Sequence, residues 1–385
     1  MKKAKLGDIC TIVSGSTPKT SKKEYWDGNL RWITPAEIAD DSYFIYDTER
    51  YITEAGAMNA HLNLLPIGTV LLSSRAPIGK VAIAGAEMYC NQGFKNLICS
   101  PCVNNCYLYY YLKSKKDYLN SLGRGATFKE ISRQIVSEIE IPLPELDEQQ
   151  RIVRQFDLLA KLCNTKHQQI DLLELAVKSR FVEMFGNPVL NPTKWKYATL
   201  SSLTEVGSSK RIFEKEYVSE GVPFYRTKEI VELARGETVS KNLFISNERF
   251  EEIKKQFGVP HKNDLMISAV GTIGVIWVVD SENPFYFKDG NLLRVNSSRN
   301  FNSMFMKYLL EILIKYHKRT MSAGSAYAAL TIKELSNLNV IMPPIDLQIE
   351  FSEFKEQVDK SRLAVQKSLD KLEILKKSLM QQYFG

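Results

Sequence analysis

Apolar and polar positions follow two periods along the chain. Short β-branched and aromatic runs, VLLSS (70–74), KVAIAG (80–85), LMISAV (265–270) and GVIWVV (274–279), are bounded by Gly, Asn, Ser and Pro turns and predict strands. YLYYYLKSKKDYLNSL (107–122) and MFMKYLLEILIKYHKR (304–319) have helical spacing, with basic residues on their C-terminal halves, where the helix dipole favours cations. Two longer stretches each follow an extended segment that ends in proline: IEIPLP with Pro142 and Pro144, and NVIMPP with Pro343 and Pro344. Neither is interrupted by Gly or Pro before Gly186 or the C-terminus, and Asp147 and Asp346 stand where an N-cap belongs. The pattern therefore predicts a compact α+β domain over 1–144, a long helix over 145–186, a second α+β domain over 187–345 and a second long helix over 346–385.

That order is a repeat. Setting residue i against i+199 aligns Tyr109–Gly186 with Tyr308–Gly385 without a gap, and 15 of 78 positions are identical. Seven identities fall in the last sixteen positions, from Asp171 and Asp370 to Phe185-Gly186 and Phe384-Gly385. Upstream, Ser73 with Ile78-Gly79 matches Ser268 with Ile273-Gly274. Gln92-Gly93 matches Asp289-Gly290, and Glu37-Ile38 matches Glu229-Ile230.

The long stretches carry heptads. In the first, Phe156, Leu159, Cys163, Ile170, Leu173, Val177 and Met184 form an apolar seam broken by Lys166 and Arg180. In the second, Val358, Val365, Leu372 and Leu379 alternate with Lys355, Arg362 and Lys376. Each seam is apolar where the other is charged, so pairing the two helices as a coiled coil would bury both. At about 1.5 Å per residue such a rod is near 57 Å long. The other arrangement is that each helix lies on its own domain.

Composition narrows the chemistry. The 385 residues are 44% hydrophobic and 25% charged, in the range of soluble globular protein. The net charge of +7 is unevenly spread. Residues 1–144 hold 17 basic against 14 acidic side chains and residues 186–345 hold 21 against 16, while the helical segments are near neutral. Such a balance permits an anionic partner. Gly7 and Asp8 break any apolar run after Lys2, Lys3 and Lys5, and the longest uncharged stretch, Leu265 to Val279, is 15 residues, too short to span a bilayer. Six cysteines make no disulfide framework, so the expected compartment is the cytoplasm, with no membrane partner.

Enzyme signatures come close and fail. SRAPIGKV (74–81) lacks the first glycine and the Ser/Thr of a phosphate loop, and no G-x-G-x-x-G opens a helix. Asn187-Pro188 and Asn191-Pro192 lack the second proline and the aromatic of an amino-methyltransferase tetrapeptide. Cys99, Cys102 and Cys106, with Cys90 upstream, have a spacing that can hold zinc, but VNSSRNFN (295–302) in the second repeat has no cysteine, so no metal is expected. The four histidines have no acidic or thiol neighbour at ligand spacing. No catalytic residue is expected.

The arrangement resembles the specificity subunit of type I restriction-modification systems. IPLPELDEQQRIV (141–153) resembles that family's opening of its long helix, and Phe185-Gly186 its end. SSRAPIGKV (73–81) and NQGFKNL (91–97) resemble strand-turn segments of its target recognition domains. IMPPIDLQIEF (341–351) keeps Asp346 and Gln348 but has Leu347 in place of Glu148. The resemblance implies a tandem duplication of a target recognition domain followed by a long helix, the helices pairing as an antiparallel coiled coil. It also implies a non-catalytic chain, with each domain reading one half of a split duplex DNA target. The helices would set the spacing and dock two modification subunits, with a restriction and translocase subunit joining them. S-adenosylmethionine, ATP and magnesium would belong to those partners. The coiled-coil and docking residues in this reading are Phe156, Leu159, Ile170, Leu173, Val177, Val358, Val365, Leu372 and Leu379.

Candidate DNA contacts are basic or amide side chains beside turns. In the first unit they are Lys19, Lys22, Arg75, Gln92, Lys95, Arg124 and Thr127. In the second they are Lys210, Arg211, Arg226, Lys228, Lys288, Lys318, Arg319 and Tyr327. The small residues of GRGATF (123–128) and AGSAYA (323–328) would let backbone approach a phosphate. Two other readings stay open: a tandem interaction scaffold, and a duplex-binding protein with different partners.

Overall fold

The computed structural model describes residues 3–125, 129–321 and 329–385. The chain divides into two compact units, one made of Met1–Gln168 together with Gln366–Gly385, the other of Gln169–Val365. The first unit thus contains both the beginning and the end of the sequence.

In the first unit a five-stranded sheet runs in the order Cys10–Ser14, Lys95–Cys99, Val70–Leu72, Val81–Ala84, Phe44–Ile45, antiparallel except at its last pairing. A three-stranded sheet places Trp26–Ile33 between Tyr51–Ile52 and Tyr89–Cys90. The second unit repeats the plan. Its four-stranded sheet has the order Val206–Gly207, Leu292–Val295, Leu265–Ser268, Ile276–Val278, beside a second sheet built around Val222–Tyr225 and Phe244–Ile245. The predicted runs at 70–74, 80–85, 265–270 and 274–279 are therefore the two central hairpins. Their turns are tied by one device. Ser73 Oγ accepts from Lys80 N–H and donates to the Pro77 carbonyl, and Ser268 Oγ accepts from Val275 N–H. Gly79 and Gly274 take φ of +87° and +85° there, a left-handed conformation that glycine adopts without strain.

Each hairpin packs on one helix. Asn104 caps Asn105–Ser114, accepting from Tyr107 N–H, and six successive side chains, Tyr107 to Leu112, are buried. The chain breaks at Lys115 and resumes as Lys116–Ser121. In the second unit Asn302 accepts from Phe305 N–H at the start of Ser303–Met321. The equivalence of Asn104 with Asn302, and of the bridge Ser73–Phe94 with the pair Ser268–Leu292, corrects the sequence alignment by one residue. Tyr110, not Tyr109, is the counterpart of Tyr308. The slip is absorbed between these helices and the N-caps Ser132 and Thr331, where the offset of 199 returns.

The long helices are Leu146–Phe185 and Ile345–Phe384, 40 residues each. Asp147 and Asp346 lie inside the first turn instead of at the cap, because the carbonyls of Glu145 and Pro344 already accept from Gln149 and Gln348 N–H. The residue that fixes each helix start is this glutamine. Gln149 is fully buried: its Oε1 accepts from Asn104 N–H at 2.8 Å, and its Nε2 donates to the Cys102 and Pro144 carbonyls. Gln348 repeats the tie, accepting from Asn302 N–H and donating to the Pro343 carbonyl. One amide side chain thus satisfies backbone groups from a turn, a helix start and a helix entry, groups that would otherwise be buried without partners.

Within each unit the two long helices run antiparallel. Phe156 stacks on Phe384, centroids 5.8 Å apart, while Glu174 meets Arg362 and Phe181 meets Phe351. The heptad positions Phe156, Leu159, Cys163, Ile170, Leu173, Val177, Met184, Val358, Val365, Leu372 and Leu379 are all buried or half-buried, and their outer neighbours Leu158, Leu172, Leu175, Leu363, Ile374 and Leu375 are exposed. Three of the seam charges find partners: Arg180 reaches Glu350 at 2.8 Å, Lys355 reaches Asp359, and Arg362 lies 3.6 Å from Glu174.

Both arrangements weighed for the helices hold together. Each helix starts on the domain that precedes it and ends in the core of the other unit. Phe384 packs edge-on against Tyr107 and Tyr111, with Phe156 at its face. Phe185 meets Phe305 and Phe351 in the same way, and Phe181 stacks on Phe305 and Tyr308. Phe181, Phe185, Phe351 and Phe384 are at most 1% exposed, and all lie outside the heptad set proposed from sequence.

Truncating a buried phenylalanine costs about 3–5 kcal/mol. Phe384→Ala is therefore expected to destabilise the first unit and Phe185→Ala the second, read as a shift of one of two phases in denaturant unfolding. Gln149→Leu leaves an N–H and two carbonyls without their partner, at about 1–3 kcal/mol for a buried group. It should lower the first phase more than Gln150→Leu at an exposed position.

Candidate nucleic-acid interface

In the first unit four loops meet. Ser16 N–H donates to the Cys90 carbonyl and Thr17 Oγ1 to Gln92 Oε1, joining the early loop to NQGFK. Ser74 N–H donates to the Gly93 carbonyl, and Ile131 N–H to that of Ser74, joining SRAPIGKV and the segment after GRGATF to the same place. Arg75, Gln92, Lys95 and Arg124 are thereby gathered. Lys19 and Lys22 are exposed on the early loop, whose Lys19 carbonyl accepts from Trp26 Nε1. Thr127 lies outside the described residues.

The residue that organises these side chains, Glu130, was not singled out from the sequence. Its Oε2 takes Arg75 Nε at 2.9 Å and its Oε1 takes Lys95 Nζ at 3.0 Å, while its backbone bridges Arg124. Burial would raise the Glu130 carboxyl, but Lys95 and Arg75 outweigh it and hold the group below its usual range. Lys95 is itself 8% exposed, also within reach of Ser74 Oγ, so its amine is committed to this network and positions Arg75 through Glu130. Arg75, Gln92 and Arg124 remain exposed.

The second unit keeps the frame and replaces the network. The places of Arg75, Lys95 and Glu130 are taken by Val270, Leu293 and Ala329, as the hydrogen bonds from Ala269 N–H to the Asn291 carbonyl and from Leu330 N–H to that of Ala269 establish. Its charges gather elsewhere. Arg211 Nε binds Asp289 at 2.9 Å, Lys210 N–H donates to Tyr286 Oη, and Lys288 N–H to the Tyr225 carbonyl. Arg226 makes a fork on Glu229, which is 1% exposed; burial opposes the charge, but the guanidinium and backbone donors still keep the carboxyl low. That pair caps the helix Thr227–Ala234, which makes Arg226 a structural residue. Lys228 is exposed on the same helix, 3.7 Å from Glu232. Lys318 and Arg319 border a groove with Arg235 and the Ile273-Gly274 turn. Tyr327 lies outside the described residues.

Cys99 lies near Cys10 and Cys106, and Cys102 lies near Cys10. Cys10 and Cys99 face each other across two strands, Cys90 takes a hydrogen bond from Asn96, and Cys102 is exposed beside Ser100. Burial pushes the Cys90 thiol up to about 12. Among the described residues no group of three or more His, Cys, Asp or Glu side chains could hold a metal ion, and no helix is long and apolar enough to cross a membrane.

Two units built on one scaffold, each crossed by two long helices packed antiparallel, define a tandem duplication. A family model, the type I restriction modification DNA specificity domain, matches residues 1–175 and again residues 192–374, and the chain belongs to that family. The MjaIX specificity subunit of Methanocaldococcus jannaschii, from a type I restriction enzyme, is 30% identical over 404 residues, covering 98% of this chain and 90% of that protein. The EcoR124I/EcoR124II specificity subunit of Escherichia coli is 29% identical over 167 residues, 42% of this chain and 41% of its own. A chain from a solved type I restriction-modification complex assembly aligns with a TM-score of 0.68 at 17% identity, over 100% of this chain and 97% of that one. The type I S subunit from M. genitalium gives 0.55 at 16%, over 100% and 96%. At these identities the two structures speak to the fold.

The Glu130 network has a pH signature. A carboxyl whose folded pKa is depressed adds stability above its unfolded pKa, and that stability is lost as pH falls through the folded value. Glu130→Gln should cost about 1 kcal/mol at pH 7, a discounted figure because the carboxylate is 34% exposed. The difference from the unsubstituted protein should shrink as pH falls below the ordinary carboxylate range and through the depressed folded value. Unfolding curves between pH 3 and pH 7 check it.

Proposed function

We propose that the chain is the DNA sequence-specificity subunit of a type I restriction-modification system. In this reading each unit binds one half of a split target in double-stranded DNA. The helix pair fixes the distance between halves and docks two modification subunits, and a restriction and translocase subunit completes the assembly in the cytoplasm. The chain supplies recognition without a catalytic step. S-adenosylmethionine, ATP and magnesium belong to its partners.

One observation carries the reading: the frame is duplicated and the readers are not. Ser73 and Ser268, Gly79 and Gly274, Gln149 and Gln348, and Phe185 and Phe384 recur with the same roles. Arg75, Lys95 and Glu130 become Val270, Leu293 and Ala329 on the same loops. Two copies of one scaffold with different side chains at matching loop positions suit two different half-sites. The charge supports it, since the excess of basic residues lies in residues 1–144 and 186–345.

Methylome sequencing of the source strain with and without the gene is expected to show a split motif that disappears with the gene. Methylation unchanged by the deletion would reject the reading. Arg75→Ala and Arg211→Ala should each relax one half of the motif and leave the other intact, at about 1–3 kcal/mol of discrimination if the lost contact is to a base. Leu173→Asp with Leu372→Asp should abolish assembly with the modification subunits, read by size-exclusion chromatography of the co-expressed proteins.

A further inference from the structure

The first unit gathers thiols that recognition of a duplex leaves unused. Cys10 opens the edge strand Cys10–Ser14 of the five-stranded sheet, Cys99 ends its neighbour Lys95–Cys99, and the two are register partners. Ser100 N–H donates to the Ile9 carbonyl at 3.0 Å, one residue beyond the pair on each strand. Cys10 and Cys99 therefore occupy a site of the antiparallel ladder where opposed residues exchange no hydrogen bond and their side chains come closest. Cα atoms of such a pair stand about 4.5 Å apart, inside the roughly 4.4–6.8 Å that a disulfide spans. Both side chains pack on the core that holds Ile12 and Leu97. Among the described residues no other two cysteines are opposed across a ladder.

A third thiol stands at the surface. Val103 N–H donates to the Ser100 carbonyl at 3.0 Å and closes a turn with Pro101 and Cys102 at its centre. The turn brings Cys102 back toward Cys10, with its Sγ 3.1 Å from Ser100 Oγ. Access thus grades from exposed Cys102 through half-buried Cys99 to buried Cys10. A hydrogen bond with Cys99, followed by burial, holds the Cys10 thiol above the usual thiol range. A thiolate is disfavoured at that place, whereas a disulfide carries no charge.

The fold does not need thiols there. The second unit pairs Val206 with Val295 as the first pairs Ile12 with Leu97, and Val295 also faces Leu265 as Leu97 faces Val70. Two residues outward stand Thr204 and Ser297 in the places of Cys10 and Cys99, and Asn300 stands in the place of Cys102. A bridge between Cys10 and Cys99 closes residues 10–99 into one loop, which contains Arg75, Gln92 and Lys95. It pins an edge strand that is otherwise held on one side only. A bridge ending on Cys102 would instead load the turn whose Cys102 carbonyl accepts from Gln149 at the start of the long helix.

We propose that Cys10, Cys99 and Cys102 form a peroxide-responsive site, with Cys102 as the point of entry and a Cys10–Cys99 cross-strand disulfide as the product. Cys102 Sγ attacks one oxygen of hydrogen peroxide, the O–O bond breaks, and a sulfenic acid and one water result. Cys10 Sγ displaces the hydroxyl from that sulfur, its proton leaves in a second water, and a Cys10–Cys102 bond forms. Cys99 Sγ then attacks the Cys10 sulfur, the bond to Cys102 breaks, and the Cys99 proton passes to Cys102. In sum two thiols and one peroxide give one disulfide and two waters, and Cys102 is regenerated. A dithiol reductant reverses the bond by exchange. In a reducing cytoplasm such bonds are transient, so the bridge forms under oxidative challenge and holds the first unit together while that lasts.

The test treats the full chain, reduced and then freed of reductant, with hydrogen peroxide and maps disulfides by digestion and mass spectrometry. The expected product is a single peptide pair joining Cys10 to Cys99. The melting temperature of the first unit should rise by about 10 °C, as closure of a loop near 100 residues implies, and dithiothreitol should restore it. Cys102→Ser should give the same bond on the order of tenfold more slowly, because the remaining thiols are less accessible. Cys10→Thr with Cys99→Ser, which copies Thr204 and Ser297, should abolish both the bond and the rise. Oxidation confined to Cys102, or joining of two chains through it, overturns the proposal. A bond made by Cys106 in place of Cys10 overturns it too, as does a Cys10–Cys99 bond that leaves the melting temperature unchanged. Mapping on the unsubstituted chain decides the matter even where the double variant fails to fold.

Discussion

The stacking of Phe384 on Phe156, and its counterpart around Phe185 and Phe351, is the contact on which the rest depends. An aromatic pair contributes about 0.5–1.5 kcal/mol beyond its buried area, but its position matters more than its strength. Each ring at a helix end enters a core made by residues far away in sequence, among Tyr107 and Tyr111 in one unit and Phe305 in the other. Neither core is finished by its own domain. The helix pair is thereby fixed at both ends of each helix, and the heptad seam between them needs only moderate apolarity. That is why Lys355, Arg362 and Arg180 are tolerated along it.

The buried glutamines do the complementary task at the helix starts. Gln149 and Gln348 each join the helix entry to the cap of a domain helix, so the direction in which the long helix leaves its domain is set by hydrogen bonds with fixed geometry. Hydrophobic burial alone is indifferent to such direction. A polar side chain in an otherwise apolar place gives the frame its angle, and the phenylalanines then close it.

Much of this was legible in the sequence, because periodicity reports which face is covered. The hairpins, the two long helices, the seam and the duplication all follow from spacing. Identity of partners does not. Phe185 and Phe384 were visible as matched residues, yet the pattern that marks a buried phenylalanine is silent about which core receives it. The helix caps lie two residues before the positions the sequence suggests for a similar reason: Asp147 and Asp346 are good capping residues, but the carbonyls of Glu145 and Pro344 take that role. Glu130 was missed because its importance lies in two charges distant in sequence, Arg75 and Lys95. A lysine beside a glycine turn, as Lys95 is, looks free in the sequence, whereas the strand it sits on turns it inward.

The division of the chain has a temporal consequence. Gln169–Val365 is one continuous stretch, and every residue of that unit exists once position 365 has been synthesised. The unit that contains the first residues cannot bury Tyr107 and Phe156 against their partner until Tyr383 and Phe384 leave the ribosome. Domains usually fold in the order in which they are made. In this chain the unit that is begun first is completed after the other one, and its aromatic surface waits for Tyr383 and Phe384.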